Sequence, residues 1–396
     1  MSLKRKYNLL KFLVHIMKES GADQEKLFHI LGEMKGVPQK YGQFLYLMDR
    51  RKFKSFENLL DEGIPYKDQE LYQRALKLTN HEIQLDKHPL ASASIGQVYG
   101  GRLNDQEVIV KIQHPKIKES LTHDWKFLKS TLGFVFKFFR FPQESKDLLI
   151  RYLHEFEQII ESETNYAHEA EQLKLFKEAF QHHHQIYIPL LYSQHSSEHI
   201  LVEEKCSGVS LKKFLSTARE EEKREILDIL AGFYFDGLFR HHILHGDPHS
   251  ANFFVERLDG KLTLQVIDFG CVKRYDSSFV MHFKELILCL RNEFYEPIPD
   301  LLISLGFHAE DLKSYGKALI PILDTIFEPL LVDEDFDFKY WKLTYKLNTI
   351  MGSKVFDKTM SLPKDLLVLF RVFHGFMSHI YYLEEKSFNL YRYIDD

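Results

Sequence analysis

His245-Gly-Asp-Pro-His-Ser-Ala-Asn252, followed after two apolar runs by Val266-Ile-Asp-Phe-Gly270, is the stretch from which the rest of this 396-residue chain can be read. Phe253 to Glu256 and Leu262 to Ile267 have the composition of short strands, and Asp259-Gly260 between them is a strong hairpin-turn signal. Asn252 and Asp268 therefore each fall beside the end of a strand.

The residue types suit phosphoryl transfer. That chemistry needs a carboxylate to orient the attacking hydroxyl, and oxygen ligands to hold magnesium across the phosphates. Asp247 is the candidate base or orienter, and Asn252 and Asp268 are the candidate magnesium ligands. The Asp247, Asn252 and Asp268 spacing is that of a kinase catalytic loop followed by its metal-binding triplet. Read alone, His245-Gly-Asp247-Pro-His249 also suits a transition metal, and with it a metal-dependent phosphohydrolase. An isolated Asp-Phe-Gly is usually only a turn after a strand. The two motifs in this order favour the kinase reading.

Outward from that stretch, Lys223 to His242 reads as a helix running into the loop. Glu204-Lys205-Cys206-Ser-Gly208 reads as a connection between lobes, with Glu204 and Cys206 expected among the nucleotide-contacting residues. Ile186 to Leu191 and Ile200 to Glu203 read as strands. Upstream, Ala91-Ser92-Ala93-Ser94-Ile95-Gly96 precedes a β-rich segment with a polar turn at Asn104-Asp105. Small residues there would let backbone N–H groups approach phosphates. Lys111, in Val108-Ile-Val-Lys-Ile-Gln113, falls where a kinase places its phosphate-binding lysine; the plain alternative is a snorkelling surface lysine. A half-buried Lys111 needs a carboxylate partner, and the helical region from Pro115 to His182 offers Glu155, Glu161, Glu163, Glu169 and Glu171, among which pattern alone does not choose. His182-His-His184 reads as an exposed turn, since three adjacent histidines do not converge on one metal.

Downstream of Gly270 there is no Ala-Pro-Glu element, and an amphipathic helix beginning near Phe279 leaves few residues for an activation loop. A peptide-docking platform is not expected. Further helices are expected over Asp300–Leu305, Leu312–Phe327, Tyr340–Met351 and Leu366–Leu383. At the other end, helical periodicity runs through Tyr7–Met17, Glu25–Met34, Tyr41–Met48 and Gln69–Leu78.

Composition bounds these readings. A hydrophobic fraction of 44% and a charged fraction of 28% describe a globular chain with room for two or three domain-sized units. Three scattered cysteines suit neither a disulfide framework nor a cysteine-based zinc site, and point to a reducing compartment. No run reaches the roughly 18 apolar residues of a membrane span. The net charge is −5 and no nucleic-acid partner is expected, yet residues 1–54 carry 12 Lys and Arg against 5 Asp and Glu. Lys4-Arg5-Lys6 with Leu9, Leu10, Phe12, Leu13 and Ile16 could touch anionic lipid or pack as a helix on the body.

Taken together, the motifs resemble those of the UbiB-type atypical kinases, also called ADCK kinases. Lys40-Tyr-Gly-Gln43 is similar to that family's Lys-x-Gly-Gln motif, Ala91-Ser-Ala-Ser-Ile-Gly-Gln-Val98 to its alanine-rich loop, and Val110-Lys-Ile-Gln-His-Pro115 to its lysine strand. Glu163-Thr-Asn165 with Glu169 resembles its Glu-x-Asp region, and Leu362-Pro with Arg371 and Gly375 resembles its tail. The resemblance implies an α+β, protein-kinase-like two-lobed fold: a helical extension over 1–87, a small β-containing N-lobe over 88–204 with a helical insertion, and a mostly α C-lobe over 205–396. It also implies ATP and Mg2+ as cofactors, Glu169 as the ion-pair partner of Lys111, and Lys40 and Gln43 folded over the active site with Lys40 paired to Glu163. An MgATP-dependent kinase or ATPase of weak activity, serving ubiquinone or other isoprenoid-lipid metabolism, is the implied function. A nucleotide-binding pseudokinase scaffold is the competing one. Two departures stand out. Asn165 replaces the family's Asp, and the C-terminal membrane segments of some bacterial members are absent, so a cytoplasmic or peripherally membrane-bound protein is expected.

Overall fold

In a computed structural model, the described residues are 69–92, 95–119, 122, 126, 164–258, 260–351 and 363–394. The helices expected over Tyr7–Met17, Glu25–Met34 and Tyr41–Met48 lie outside them. The chain divides into two compact units, one comprising residues up to Lys174 with Pro189–Lys205, the other Leu175–Ile188 with Cys206 onward.

The first half of the chain forms α1 (Gln69–Leu78), β1 (Ile83–Ser92), β2 (Gly96–Leu103), β3 (Gln106–Gln113), α2 (Tyr166–Ala179), β4 (Ile186–Tyr187) and β5 (Ile200–Glu204). In the first unit the strands make one antiparallel sheet in the order β1-β2-β3-β5. Leu103 pairs with Gln106 across the two-residue turn, where Asn104 takes φ +54°, a conformation asparagine tolerates. Alternation along β3 and β5 splits their side chains between two faces. Val108, Val110, Ile112, Ile200 and Val202 pack with Leu71 and Ala75 of α1. The opposite face carries Lys111, Leu201 and Glu203. The sheet begins at Ile83, upstream of the expected lobe boundary at residue 88. Asp86, Lys87 and Pro89 interrupt the strand pattern there, and the ladder shifts register on either side of Pro89. The strand tolerates both because it lies at the edge of the sheet.

The second half adds β6 (Val209–Ser210), α3 (Leu211–Thr217), α4 (Glu220–Phe239), β7 (Ile243–His245), β8 (Phe253–Leu258), β9 (Lys261–Val266), β10 (Val272–Arg274), α5 (Ser277–Arg291), α6 (Ile298–Ser304), α7 (Ala309–Tyr315), α8 (Leu319–Leu331), β11 (Phe336–Asp337), α9 (Leu343–Met351), α10 (Lys364–Ile380) and β12 (Ser387–Phe388). Most of the second unit is helical. Its small sheet runs β4-β9-β8-β6, and β7 pairs with β10. The β8–β9 hairpin turns at Gly260, φ +77°. The strand expected over Ile186–Leu191 stops at Tyr187; Pro189 has no N–H to donate, and the Leu190 N–H goes to the Glu204 carboxylate at 3.1 Å. The helix expected over Leu312–Phe327 is two helices, because Gly316 at φ +52° breaks the run.

The acidic cap of α4 sets one pH response. Glu222 accepts hydrogen bonds from Arg257 and from the backbone and guanidinium of Arg219, which hold its pKa down at about 2. A carboxylate depressed on folding stabilises above its unfolded pKa of about 4.3, and that contribution is lost as pH falls towards 2. In Glu222→Gln, the acid limb of the unfolding curve below about pH 4 is expected to flatten, as read by circular dichroism during acid titration.

Candidate active site

In the first unit Lys111 stands near the end of β3, two strand positions before Gln113. Its Nζ lies 2.7 Å from Glu169 Oε1 and 3.1 Å from Glu203 Oε1, and all three side chains are buried. Of the glutamates left open by the sequence pattern, the structure brings Glu169 to the lysine. Glu203 was missed, although a two-residue period places it on the Leu201 face of β5, and Leu201 pairs with Lys111. Two carboxylates thus converge on one buried ammonium.

Glu169 is held by the first turn of α2, and Asn165 begins that turn. The Asn165 side-chain oxygen accepts the N–H of Ala167 at 3.1 Å, and its main-chain oxygen accepts the N–H of Glu169. The residue that departs from the family pattern is thus a helix N-cap, a role asparagine fills as well as aspartate. Asn165→Ala is expected to cost about 1 kcal/mol, measured by urea denaturation, while Asn165→Asp keeps the cap.

In the small-residue loop, Ala91 and Ser92 end β1, Ile95 is buried and Gly96 opens β2; Ala93 and Ser94 lie outside the described residues. Gly96 has a structural duty of its own, since a Cβ there would run into the Ile112 carbonyl. Glu204 accepts the Leu190 N–H, and Cys206 is half-buried. Lys40, Gln43 and Glu163 lie outside the described residues.

In the second unit the sequence His245 to Asn252 leaves β7, makes a short 3-10 turn at Ser250–Asn252 and enters β8. Asn252 Nδ2 donates to Asp247 Oδ2 at 2.8 Å. This commits the NH2 end of the amide and turns its carbonyl oxygen to the other side, the end that could ligate a cation. The Ile267 N–H donates to the Asn252 main-chain oxygen at 2.9 Å, so the loop is stitched to the residue before Asp268. Asp268 sits at φ +63°, and its Oδ1 accepts the Gly270 N–H at 3.2 Å. Asp247, Asn252 and Asp268 thus share one hydrogen-bonded framework. Oxygen donors from an amide and a carboxylate are the hard ligands magnesium selects, so the donor set fits that ion.

His245 supports this arrangement from below. Its Nε2 lies 2.7 Å from the Asp268 carbonyl oxygen. A carbonyl only accepts, so Nε2 carries the proton. The ring is enclosed by Phe176, Phe233, Phe253 and Phe269. Burial lowers its pKa, against the opposing pull of Asp247, and keeps it neutral. That placement corrects the transition-metal reading of His245 and His249, because the histidine is a buried strut. Among the described residues no group of three His, Cys, Asp or Glu side chains could hold a metal.

Helix α10 backs the loop. His379 Nε2 lies 3.1 Å from the Pro248 carbonyl, Gly375 faces the Pro248 ring, and Arg371 reaches Gly246. A Cβ on Gly375 would collide with that ring. Gly375→Ala is expected to destabilise by about 1–3 kcal/mol and to displace the loop, seen as a lowered melting temperature together with weaker nucleotide binding. Beyond Gly270 the chain enters β10, paired with β7, and α5 begins at Ser277. The few residues expected for an activation loop are tied into a strand.

Comparison with known proteins agrees with this geometry. The family model for the ABC1 atypical kinase-like domain matches residues 70–298. The chain belongs to the ABC1 atypical kinase-like family. It is 28% identical over 258 residues to the probable protein kinase UbiB of Aeromonas salmonicida, covering 63% of this chain and 47% of that one. It is 25% identical over 378 residues to the mitochondrial atypical kinase COQ8 of Saccharomyces cerevisiae, covering 91% and 73%. The aligned region spans about half the length of the first of these relatives. The Mycobacterium tuberculosis protein Rv3197, solved in complex with erythromycin, superposes with a TM-score of 0.65 at 23% identity, covering 97% of this chain and 96% of that one. That likeness is one of fold, and the α+β, kinase-like class expected from the motifs is the class observed. No helix among the described residues is long and apolar enough to cross a membrane.

Proposed function

We propose that this member of the ABC1 atypical kinase-like family is an MgATP-dependent kinase or ATPase that serves ubiquinone or another isoprenoid-lipid pathway and does not phosphorylate peptides. The observation that carries the reading is the Asp247–Asn252 hydrogen bond within a loop stitched to the strand before Asp268. It presents an uncommitted amide oxygen beside a carboxylate, in the order phosphoryl transfer requires. Magnesium held by Asn252 and Asp268 would neutralise charge on the phosphates. Asp247 would orient the attacking hydroxyl or water, and Lys111, fixed by Glu169, would contact the phosphates. Ala91 to Gly96 would cover them, and Glu204 and Cys206 would lie along the nucleotide. Lys40, Gln43 and Glu163, on the extension over 1–87, would exclude peptide substrates. The short, strand-paired segment after Gly270 supports that exclusion.

The test is phosphate release from MgATP by wild type, Asp268→Asn and Lys111→Ala, with and without anionic liposomes and a phenolic quinone-precursor mimic. Turnover above the Asp268→Asn background supports the reading, and an additive that raises it identifies the substrate class. Tight nucleotide binding with no excess turnover under any condition would replace it with an ATP-binding regulatory scaffold.

A further inference from the structure

Behind the catalytic loop, Arg371 of α10 points at the residue that follows Asp268-Phe-Gly270. Its Nη2 lies 2.8 Å from Cys271 Sγ. A guanidinium keeps its proton in a protein, so a sheltered one requires a negative partner. Arg371 Nε is sealed from solvent and makes no hydrogen bond among the described residues. No carboxylate among them pairs with Arg371 at ion-pair distance.

The charged and titratable groups around the pair include Tyr234 of α4, which faces Arg371 and whose phenol burial pushes well up. Asp247 faces it from the catalytic loop, and its carboxylate is already bonded to Asn252. Tyr275 follows β10; burial pushes its phenol far up, and its hydroxyl donates to the Asp365 carbonyl at 3.1 Å. Asp365, at the start of α10, is paired with Lys273 of β10 at 2.5 Å. Burial opposes the charge on Arg371, but Cys271 and then Asp247 outweigh it, so the guanidinium is stabilised as a cation. The sulfur is the atom in contact with that cation. A thiol beside an arginine ionises more readily, and Cys271 is half-buried. Cys289 is the contrast: buried in α5, with its thiol pKa pushed up by that burial.

We propose that Cys271 is held as a thiolate by Arg371 and is a modification site for peroxides and other soft electrophiles. With hydrogen peroxide, the sulfur attacks one oxygen, the O–O bond breaks, and hydroxide leaves. The sulfur becomes a sulfenic acid, oxidised by two electrons while the peroxide is reduced. Either oxidation or alkylation takes the negative charge from Arg371. The proposal stands on the geometry of this pair and is independent of nucleotide turnover.

The experiment follows alkylation of the full chain by iodoacetamide from pH 6 to 8, with labelling at Cys271 resolved by mass spectrometry and glutathione as the reference thiol. The expected rate at Cys271 changes less than about threefold across that range, while glutathione changes about tenfold per pH unit. Arg371→Gln is expected to take on the glutathione slope. A wild-type slope equal to that of glutathione, or no labelling of native Cys271, overturns the proposal. Because Arg371→Gln could fail to fold, a second readout uses Cys271→Ser. Alkylation is expected to lower the wild-type melting temperature by about 2–4 °C and to leave that of Cys271→Ser unmoved; equal shifts in the two would overturn the proposal.

Discussion

Lys111→Met is expected to destabilise the first unit by about 3–5 kcal/mol, more than any other substitution considered for that unit. The native ammonium is ion-paired with both carboxylates, and Glu169 and Glu203 are only 5% and 2% exposed. Methionine fills much of the same volume but removes the ammonium that both buried acids share. Their mutual repulsion and desolvation then favour the protonated forms. Groups whose pKa is raised on folding stabilise at low pH and lose that contribution as pH rises. The deficit of Lys111→Met is therefore expected to be larger at pH 8 than at pH 5. Chemical denaturation at the two values measures it. Adding Glu169→Gln and Glu203→Gln to Lys111→Met should recover most of the loss, because the two buried carboxylate charges are then removed with the ammonium. A Lys111→Met chain as stable as wild type at pH 8 would show that the three side chains do not share one buried cluster.

Asp268→Asn is expected to lower any MgATP turnover by at least about 10²–10³-fold while the melting temperature stays within about 2 °C of wild type. The contrast follows from the backbone. Asp268 occupies φ +63°, where asparagine is as well tolerated as aspartate and alanine is not. The bond from His245 goes to the main-chain oxygen of residue 268, and the Gly270 N–H can still donate to an amide oxygen. What the substitution removes is one negative charge from the proposed magnesium ligand set. Phosphate release and thermal melting on the same preparation separate the two effects. A melting temperature reduced by 10 °C would mean that the carboxylate is structural, and a lost turnover could then not be assigned to the metal.

Much of the second unit's site was legible in the sequence because its residues lie close together in the chain. The catalytic loop, its hairpin and the Asp-Phe-Gly triplet fall within His245 to Gly270, and local turn chemistry at Asp259-Gly260 and strand composition on both sides fix that path. The start of α5 at Ser277 and the match at Gln69–Leu78 were likewise set by periodicity. Failures occurred where a single backbone position overruled the pattern, as at Pro189, which cut β4 short, and Gly316, which divided the helix expected over Leu312–Phe327.

By itself the sequence determined that the lysine strand and the His245–Gly270 stretch belong to a kinase-like chain, and in what order their residues come. Only the tertiary structure decided which acids meet Lys111, since Glu169 and Glu203 reach it through a helix and a neighbouring strand 58 and 92 positions away along the chain. It also decided that Asn165 caps the helix of Glu169, that His245 is a neutral strut, and that Arg371 meets Cys271 behind the loop. Each of those depends on strand register or helix packing between segments distant in sequence, where the one-dimensional pattern carries no distance information.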